Sequence, residues 1–192
     1  MPRAQFKKPT LKGLLIALIV IAGTWIGLDN SSISKVVSVA SNHPPGYYSV
    51  ASVEDGDTIV VDMNGTPERV RFIGVDTPEK HHPNKPVQCF AQAASVRMAE
   101  LIGDKPVRLE ADPTNQNRDR YGRLLRYVYL EDGTLLNAQQ IADGYGFAYT
   151  AFPFEKMEEF RALEDSARQE GKGLWSGCQI EIDNGYINTN PV

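Results

Sequence analysis

Acidic side chains crowd two short stretches of this 192-residue chain, residues 54–58 and residues 75–79. Clustered carboxylates repel one another unless a cation or solvent lies between them. An oxygen-only donor set, without Cys or His at suitable spacing, favours a hard ion such as Ca²⁺ or Mg²⁺ over Zn²⁺. The two stretches therefore predict a metal site if the fold brings them together. An ordinary turn at Asp55-Gly56 and a capped loop at 76–79 are the alternative.

Basic side chains crowd a third stretch, residues 118–123, where three arginines and Tyr121 surround one glycine. Guanidinium groups bind phosphate oxygens bidentately, and a tyrosine can stack on a base or donate a hydrogen bond to a phosphate. Arg71 is unusual in a similar way, because its charged side chain belongs to a predicted strand. These residues predict contacts to a phosphate-bearing ligand, and a solvated hairpin with surface arginines is the alternative.

Three short β-rich runs must position the acidic stretches. They are Tyr47–Val53, Thr58–Met63 and Arg69–Ile73, separated by the turn dipeptides Asp55-Gly56 and Asn64-Gly65. Such dipeptides between β-rich runs are strong hairpin signals. The pattern predicts a three-stranded meander with acidic residues at the ends of its strands.

A helix is predicted after the meander, because apolar residues recur there at helical spacing. Its inward face consists of Phe90, Ala94, Met98, Leu101 and Ile102, and Gly103 follows it. Two more strands are predicted at 107–111 and 124–130, and two more helices at 137–142 and 154–169. Five strands grouped three plus two, with a helix between the groups, predict an α+β fold built on a small Greek-key barrel with three helices.

Four motifs together make residues 47–178 resemble the staphylococcal nuclease family. In chain order they are Asp55-Gly56-Asp57-Thr58, the run from Arg71 to Glu79, the run from Asp119 to Arg123, and Gly173-Leu174-Trp175-Ser176. Each motif alone is weak, but their joint order and spacing are specific. The resemblance implies an OB-type five-stranded barrel with three helices. It also implies a Ca²⁺-dependent nuclease that cleaves DNA and RNA to 3′-phosphate ends.

The acidic residues of these motifs form the implied metal site. The resemblance implies that Asp57 and Asp76 give carboxylate ligands to Ca²⁺ and that Thr77 gives its backbone carbonyl. Glu79 is similar to the family residue that orients or deprotonates the attacking water. Hydroxide attack on an anionic phosphodiester needs added positive charge in the transition state, so this set of residues suits the reaction.

The basic and aromatic residues form the implied substrate contacts. Arg71 and Arg123 resemble the family's phosphate clamp. Arg120, which is Lys in the best-known family member, and Tyr121 resemble contacts to the terminal phosphate. Tyr149 resembles the aromatic residue beside the base, and a tyrosine at the edge of the core is the alternative for this position.

The N-terminus carries a pattern typical of an anchor or an export signal. Basic residues precede residues 13–28, a run of 16 residues without charge. Asp29 and Asn30 follow this run in place of small residues, which favours an uncleaved anchor over a cleaved signal peptide. The basic residues place the N-terminus in the cytoplasm and the remaining chain outside it. The predicted organisation is a basic tail at 1–12, the anchor or signal at 13–28, a linker at 29–46, the nuclease-like domain at 47–178 and a polar tail at 179–192.

Charge and cysteine content agree with an exported protein whose ligand binds to a local patch. The chain has 20 basic and 24 acidic residues, a net charge of −4, which excludes a cationic coat for nucleic acid. Residues 66–126 carry 11 basic and 8 acidic residues, so a polyanion is expected to bind there.

Cys89 and Cys178 are the only cysteines in the sequence. A cysteine pair behind an export signal predicts a disulfide, and two buried free thiols are the alternative.

Two classes of function are compatible with these patterns. The first is a monomeric Ca²⁺-dependent phosphodiesterase that is held in the cell membrane by its N-terminus and acts on DNA and RNA outside the cytoplasm; secretion after signal cleavage is the alternative location. The second is a non-catalytic nucleic-acid-binding OB module, which would not need paired carboxylates beside a polyanion. A Ca²⁺-stabilised adhesion domain would leave Arg71 and the run 120–123 unexplained.

Overall fold

A closed barrel of five strands forms the centre of the computed structural model, which describes residues 43–80, 86–183 and 186–192. The strands are β1 (Tyr47–Asp55), β2 (Thr58–Met63), β3 (Thr66–Phe72), β4 (Val75–Asp76), β5 (Val107–Glu110), β6 (Leu124–Tyr129), β7 (Phe147–Ala148), β8 (Ile180–Asp183) and β9 (Tyr186–Thr189). The helices are α1 (Ala91–Ile102), α2 (Leu136–Ala142), α3 (Met157–Gln169) and α4 (Leu174–Gly177). The barrel order is β1-β2-β3-β6-β5, which confirms the predicted OB-type α+β architecture.

The three-stranded meander forms as predicted. Strands β1, β2 and β3 pair antiparallel, and β2 has the predicted bounds. Asn64 and Gly65 turn the chain between β2 and β3 with φ of 58° and 86°. Two successive residues with positive φ are the mark of a type I′ turn, whose twist matches that of the flanking strands.

The barrel closes through β6, which pairs parallel with β3 and antiparallel with β5. Large side chains from the barrel and helices fill its interior: Ile59, Phe72, Met98, Tyr127 and Phe160 are each at most 1% exposed. Burial of a side chain of this size stabilises the fold by roughly 1.5–3 kcal/mol. The core therefore fixes the strand ends on which the candidate site residues lie.

Helix α1 follows the predicted pattern closely. Ala94, Met98 and Ile102 are buried, and Gly103 ends the helix with φ of 54° and an N–H that donates to the Ala99 carbonyl over 2.8 Å. Phe90 differs from the expectation, since it lies just before the helix with φ of 72°. The left-handed backbone there breaks the helical repeat that the apolar spacing predicted.

A buried carboxylate, Asp112, joins the barrel to the segment before α3. Its oxygens accept hydrogen bonds from Thr114 N at 2.7 Å, Tyr127 Oη at 2.5 Å and Glu155 N at 2.8 Å. Burial alone would raise the pKa of Asp112, but the hydrogen bonds from Thr114, Tyr127 and Glu155 outweigh it and lower the pKa. Asp112 is thus stabilised as an anion by the fold.

The chain between Cys178 and its C-terminus forms a hairpin, β8–β9, although the sequence predicted only a polar tail there. Cys89 and Cys178 form the predicted disulfide, which joins the segment before α1 to the segment before this hairpin. Strands β4 and β7 and helix α4 were also not predicted. A two-residue strand or a four-residue helix is too short to show its period in the sequence.

The predicted membrane anchor at 13–28 lies outside the described residues. Within the part of the chain that the structure describes, none of the helices has the length and apolar character needed to cross a bilayer. The anchor, the alternative signal peptide and the domain boundaries before residue 43 stay predictions.

Candidate active site

Asp57 occupies the turn between β1 and β2 and is only 5% exposed. Its Oδ1 accepts a hydrogen bond from Thr58 Oγ1 at 3.0 Å, and its Oδ2 accepts from Thr77 N at 2.8 Å and Thr77 Oγ1 at 3.0 Å. Hydrogen bonds to both oxygens favour the ionised carboxylate in this buried place. The two acidic stretches predicted from the sequence therefore meet in space.

Arg71 lies on β3 opposite Thr58 of β2 and links two carboxylates. Its Nη1 forms an ion pair with Asp57 Oδ2, and its Nη2 donates to Asp76 Oδ1 at 2.8 Å. The Arg71 side chain is 15% exposed, whereas that of Asp76 is 36% exposed. One guanidinium group thus holds a buried and a half-exposed carboxylate on the same side of the barrel.

A short two-stranded sheet positions Asp76 and Thr77. Asp76 of β4 pairs with Phe147 of β7, and the next residue, Thr77, packs against two glycines. A Cβ at Gly56 would lie 2.9 Å from Thr77 Cγ2, and a Cβ at Gly146 would lie 3.0 Å from the same atom. Only glycine allows both segments to approach Thr77 this closely.

The oxygen atoms at this place fit a hard cation. Asp57 and Asp76 offer carboxylates, and Thr77 adds a backbone carbonyl in the same segment. Asp55 Oδ1, in the same turn as Asp57, is buried and accepts no hydrogen bond among the described residues. Across the ranges that the structure describes, no group of three or more His, Cys, Asp or Glu residues is arranged to hold a metal. An ion here would take few protein ligands and keep water, as hard cations commonly do.

Glu79 follows Thr77 by two residues and is half-buried. Its backbone N–H donates to Gln88 Oε1 at 2.6 Å, and its carbonyl accepts from Gln88 N at 3.1 Å. Its backbone position is therefore fixed by one residue near the start of α1. Glu79 lies on the same segment as Asp76, as the sequence predicted.

Asp119 organises the predicted arginine-rich turn. Its Oδ1 accepts from Tyr121 N at 2.9 Å and from Arg123 N at 3.0 Å, and its Oδ2 accepts from Arg123 Nε at 2.7 Å. Gly122 completes the turn with φ of 80°. Burial would raise the pKa of Asp119, but the hydrogen bonds from Arg123 and Tyr121 outweigh it and lower the pKa. The ionised Asp119 holds the Arg123 side chain in one orientation.

Pairing between β3 and β6 sets the level of Arg123 relative to β3. Val70 lies beside Leu124 and Arg71 beside Leu125 in this parallel pair. Arg123 directly precedes Leu124, so it lies at the level of the β3 residue before Val70. Arg71 is thus carried by β3, and Arg123 immediately precedes the neighbouring strand β6.

The predicted aromatic contacts lie in two separate places. Tyr121 is 64% exposed, its hydroxyl accepts from Arg120 Nη2 at 2.6 Å, and the Cζ atoms of Arg120 and Arg123 lie 4.7 and 5.4 Å from its ring centroid. Tyr149 follows β7 and is half-buried, and its ring lies 6.2 Å from that of Phe152, which is 62% exposed. Tyr121 thus offers an exposed aromatic surface, whereas at the second place the exposed ring is that of Phe152.

The sequence missed residues that act through hydrogen bonds. Asp119 lies within one of the four motifs, but the motif does not reveal that it orients Arg123. Nothing in the sequence around Gln88 indicates that it bonds to Glu79. Glu164 of α3 accepts from Ala148 N of β7 at 3.0 Å, which fixes the strand beside β4. Burial raises the pKa of Glu164, and the bond from Ala148 partly offsets this. The partners of Gln88 and Glu164 lie 9 and 16 residues away, so only a three-dimensional structure shows them.

Comparison with known proteins agrees with this geometry. The family model described as "Staphylococcal nuclease homologue" matches residues 69–177. The thermonuclease of Staphylococcus intermedius is 37% identical over 159 residues, 83% of this chain and 89% of that protein. The thermonuclease of Staphylococcus hyicus is 35% identical over 170 residues, 88% of this chain and 99% of that protein.

A Bacillus subtilis protein shows a similar degree of identity over a shorter region. The SPbeta prophage-derived endonuclease YokF is 38% identical over 134 residues, which are 69% of this chain and only 45% of that protein. The match to the family model, the two full-length thermonuclease relatives and the closed barrel all lead to the same assignment. The chain belongs to the staphylococcal nuclease family.

Proposed function

We propose that this chain is a Ca²⁺-dependent nuclease that hydrolyses DNA and RNA to products with 3′-phosphate ends. One observation carries the proposal: Arg71 joins Asp57 and Asp76 through separate nitrogens, at 2.8 Å in the case of Asp76. A carboxylate pair with a guanidinium beside it suits a reaction at an anionic phosphate. Relatives named thermonuclease and endonuclease support the same activity.

Asp57, Asp76 and the carbonyl of Thr77 are the residues that would hold the ion. When bound, Ca²⁺ supplies positive charge where the phosphodiester transition state gains negative charge. Hydrogen bonds from Thr58 and Thr77 fix the orientation of the Asp57 carboxylate. Asp76 is the more accessible of the two carboxylates, since 36% of its side chain is exposed.

In this proposal, Glu79 either accepts a proton from the attacking water or orients that water. It lies two residues after Thr77 on the segment that carries Asp76. A general base of this kind contributes roughly 10²–10⁴-fold to the rate. Attack on phosphorus and departure of the 5′-oxygen leave the phosphate on the 3′-carbon.

Arg71 and Arg123 neutralise the phosphate oxygens as charge builds up. Asp119 pre-organises Arg123 through Nε and leaves the terminal nitrogens of that guanidinium to face the substrate. Removal of one clamp arginine should cost at least about 3 kcal/mol of transition-state stabilisation, by analogy with the loss of an oxyanion-hole donor. Arg120, Tyr121 and Tyr149 would contact the terminal phosphate and a base.

We also propose that the protein works outside the cytoplasm as a monomer, with its N-terminal segment as a membrane anchor. The Cys89–Cys178 disulfide supports an oxidising compartment. The charge-free run at 13–28 behind basic residues supports the anchor and its orientation. A cleaved signal peptide would give the same compartment without attachment.

The test is cleavage of single-stranded DNA and of RNA by the purified full chain, with Ca²⁺ and with excess chelator. Hydrolysis of both substrates that disappears with chelator is the expected result. The products should carry 5′-hydroxyl ends that polynucleotide kinase labels without prior phosphatase treatment. Cleavage that persists in excess chelator would falsify the metal assignment, and binding without cleavage in either condition would favour the non-catalytic OB module.

A further inference from the structure

Gln88 is tied to Glu79 by two reciprocal hydrogen bonds. Glu79 N donates to Gln88 Oε1 at 2.6 Å, and Gln88 N donates to the Glu79 carbonyl at 3.1 Å. Both polar backbone groups of the proposed general base are therefore satisfied by the same residue. Gln88 lies outside the four motifs that carry the family resemblance.

The C-terminal segment, residues 186–192, lies against the other side of Gln88. Gln88 Nε2 donates to Asn188 Oδ1 at 3.4 Å, and the backbone of Gln88 forms an isolated bridge with Pro191. A glutamine amide provides an acceptor and a donor at once. Gln88 uses the acceptor toward Glu79 and the donor toward the C-terminal segment.

Both neighbours of Gln88 are also held by the C-terminal segment. Cys89 N donates to the Asn190 carbonyl at 2.8 Å, and Thr189 Oγ1 donates to the Cys89 carbonyl at 2.8 Å. Val192 N donates to the Val87 carbonyl at 3.0 Å. Thr189 is only 1% exposed, so its bond is shielded from water. The segment thus fixes three consecutive residues, 87–89.

The disulfide holds the C-terminal segment in register. Cys178 is bonded to Cys89, and the next residue, Gln179, pairs with Asn190 through bonds of 3.0 and 2.9 Å. Hairpin β8–β9 connects these two residues. Covalent and hydrogen-bonded contacts therefore act on the same short stretch beside Glu79.

We infer that Gln88 is a positioning residue for Glu79 and that the C-terminal segment holds Gln88 in place. The inference rests on the proposed function of Glu79 as the group that handles the attacking water. A general base must lie within hydrogen-bond reach of its proton, and a displacement of about 1 Å can cost roughly 100-fold in rate. The polar tail of the sequence thereby gains a role in the reaction.

The test uses the full chain with Gln88→Met, which keeps the side-chain length and removes both amide functions. The kcat should fall roughly tenfold or more, while KM and the Ca²⁺ dissociation constant change by less than about twofold. The Glu79 amide should exchange its hydrogen faster, which NMR can measure without metal or substrate. Gln139→Met is the matched control. Gln139 Nε2 donates to Asp143 Oδ1 over 2.8 Å, and this bond involves neither Glu79 nor the C-terminal segment.

A double-variant comparison separates positioning from a general loss of structure. If Gln88 acts through Glu79, adding Gln88→Met to Glu79→Gln should lower kcat little further. Losses that multiply would overturn the inference. Thr189→Val provides a second variant: faster exchange of the Glu79 amide and a lower kcat are expected, and unchanged values of both would overturn the role of the C-terminal segment.

The two proposals fail in different ways. A wild-type chain that cleaves no nucleic acid would overturn the proposed function. A wild-type chain that is active, together with a Gln88→Met variant of unchanged kcat and unchanged Glu79 amide exchange, would overturn the positioning inference alone.

Discussion

Replacing Arg71 with methionine should lower nuclease activity and raise the affinity for Ca²⁺ at the same time. Arg71 is the only partner that contacts both Asp57 and Asp76 among the ion pairs of the described chain. As the proposed phosphate clamp it would assist the reaction, but as a cation it would compete with a metal for the same two carboxylates. Methionine keeps much of the side-chain volume and removes the charge.

The structure sets the size of each effect. Loss of one clamp arginine should cost at least about 3 kcal/mol, which is more than about 100-fold in kcat/KM. A divalent and a monovalent cation about 4 Å apart repel by about 2 kcal/mol in a water-like dielectric. Because the Arg71 side chain is only 15% exposed, this water-like value is a lower bound on the repulsion. Its removal should raise the Ca²⁺ affinity by at least about 30-fold.

Stability provides a third, independent measurement. Without Ca²⁺, the variant leaves Asp57 buried and ionised without its ion-pair partner, although Thr58 and Thr77 still donate to it. We expect a loss of about 1–3 kcal/mol in the free energy of unfolding. Saturating Ca²⁺ should recover much of this loss, because a ligand that binds only the folded state stabilises it.

The assays are calorimetric Ca²⁺ titration, steady-state cleavage of single-stranded DNA, and urea unfolding with and without Ca²⁺. Arg69→Met is the matched control on the same strand, since Arg69 is 53% exposed and its ion-pair partner among the described residues is Glu54. It should cost at most about 1 kcal/mol and leave the kinetics unchanged. A lower Ca²⁺ affinity in Arg71→Met, or undiminished cleavage, would refute the reasoning that Arg71 shares its carboxylates with the ion.

Three further predictions concern other parts of the molecule. Glu79→Gln should reduce kcat at least roughly 100-fold and leave Ca²⁺ binding intact, and a loss of Ca²⁺ affinity equal to that of Asp76→Ala would show that Glu79 is a ligand. Asp112→Asn should destabilise the fold by about 2 kcal/mol at neutral pH. An amide nitrogen accepts no hydrogen bond, so it cannot replace the oxygen that accepts from Tyr127 and Glu155. Since the folded-state pKa of Asp112 lies below its ordinary value of 3.8, this difference should be constant above about pH 5 and shrink as the pH falls through the folded-state pKa; a difference that grows in acid would contradict the assignment. Cell fractionation with mass analysis of the N-terminus should recover a membrane-attached chain with an accessible domain, and soluble protein lacking residues 1–40 would replace the anchor with a cleaved signal.

Local sequence signals predicted most of the barrel. The turn at Asn64-Gly65 and the β-rich run 58–63 gave correct strands because hairpins depend on neighbouring residues. Gly103 correctly ended α1 for the same reason. Strand β7, by contrast, forms because β4 and Glu164 of α3 supply partners for it. Nothing within its two residues could predict a pairing that depends on residues far away in the chain.

The candidate site shows the same division. The motifs identified Asp57, Arg71 and Asp76, and the structure brings these three together. Their joint placement depends on the β2–β3 register and on the close approach of Gly56 to Thr77. Thr58 and Thr77, which donate to Asp57, lie within the motifs. Gln88, which bonds to the backbone of Glu79, lies outside them in ordinary sequence surroundings, so motif analysis misses it.

The chain has a net charge of −4, and the way its charged side chains pair determines how a polyanionic substrate could bind. Several arginines of the basic middle region are neutralised by exposed or half-exposed acids outside the site, and such pairs contribute little to stability. These pairs are Arg69–Glu54, Arg97–Asp143, Arg108–Glu110 and Arg118–Glu68. At the site, two carboxylates share the single guanidinium of Arg71, which leaves a local negative charge. That charge repels a phosphate until a cation balances it, so the same acidic residues that oppose substrate binding in the metal-free protein would favour it once the ion is bound.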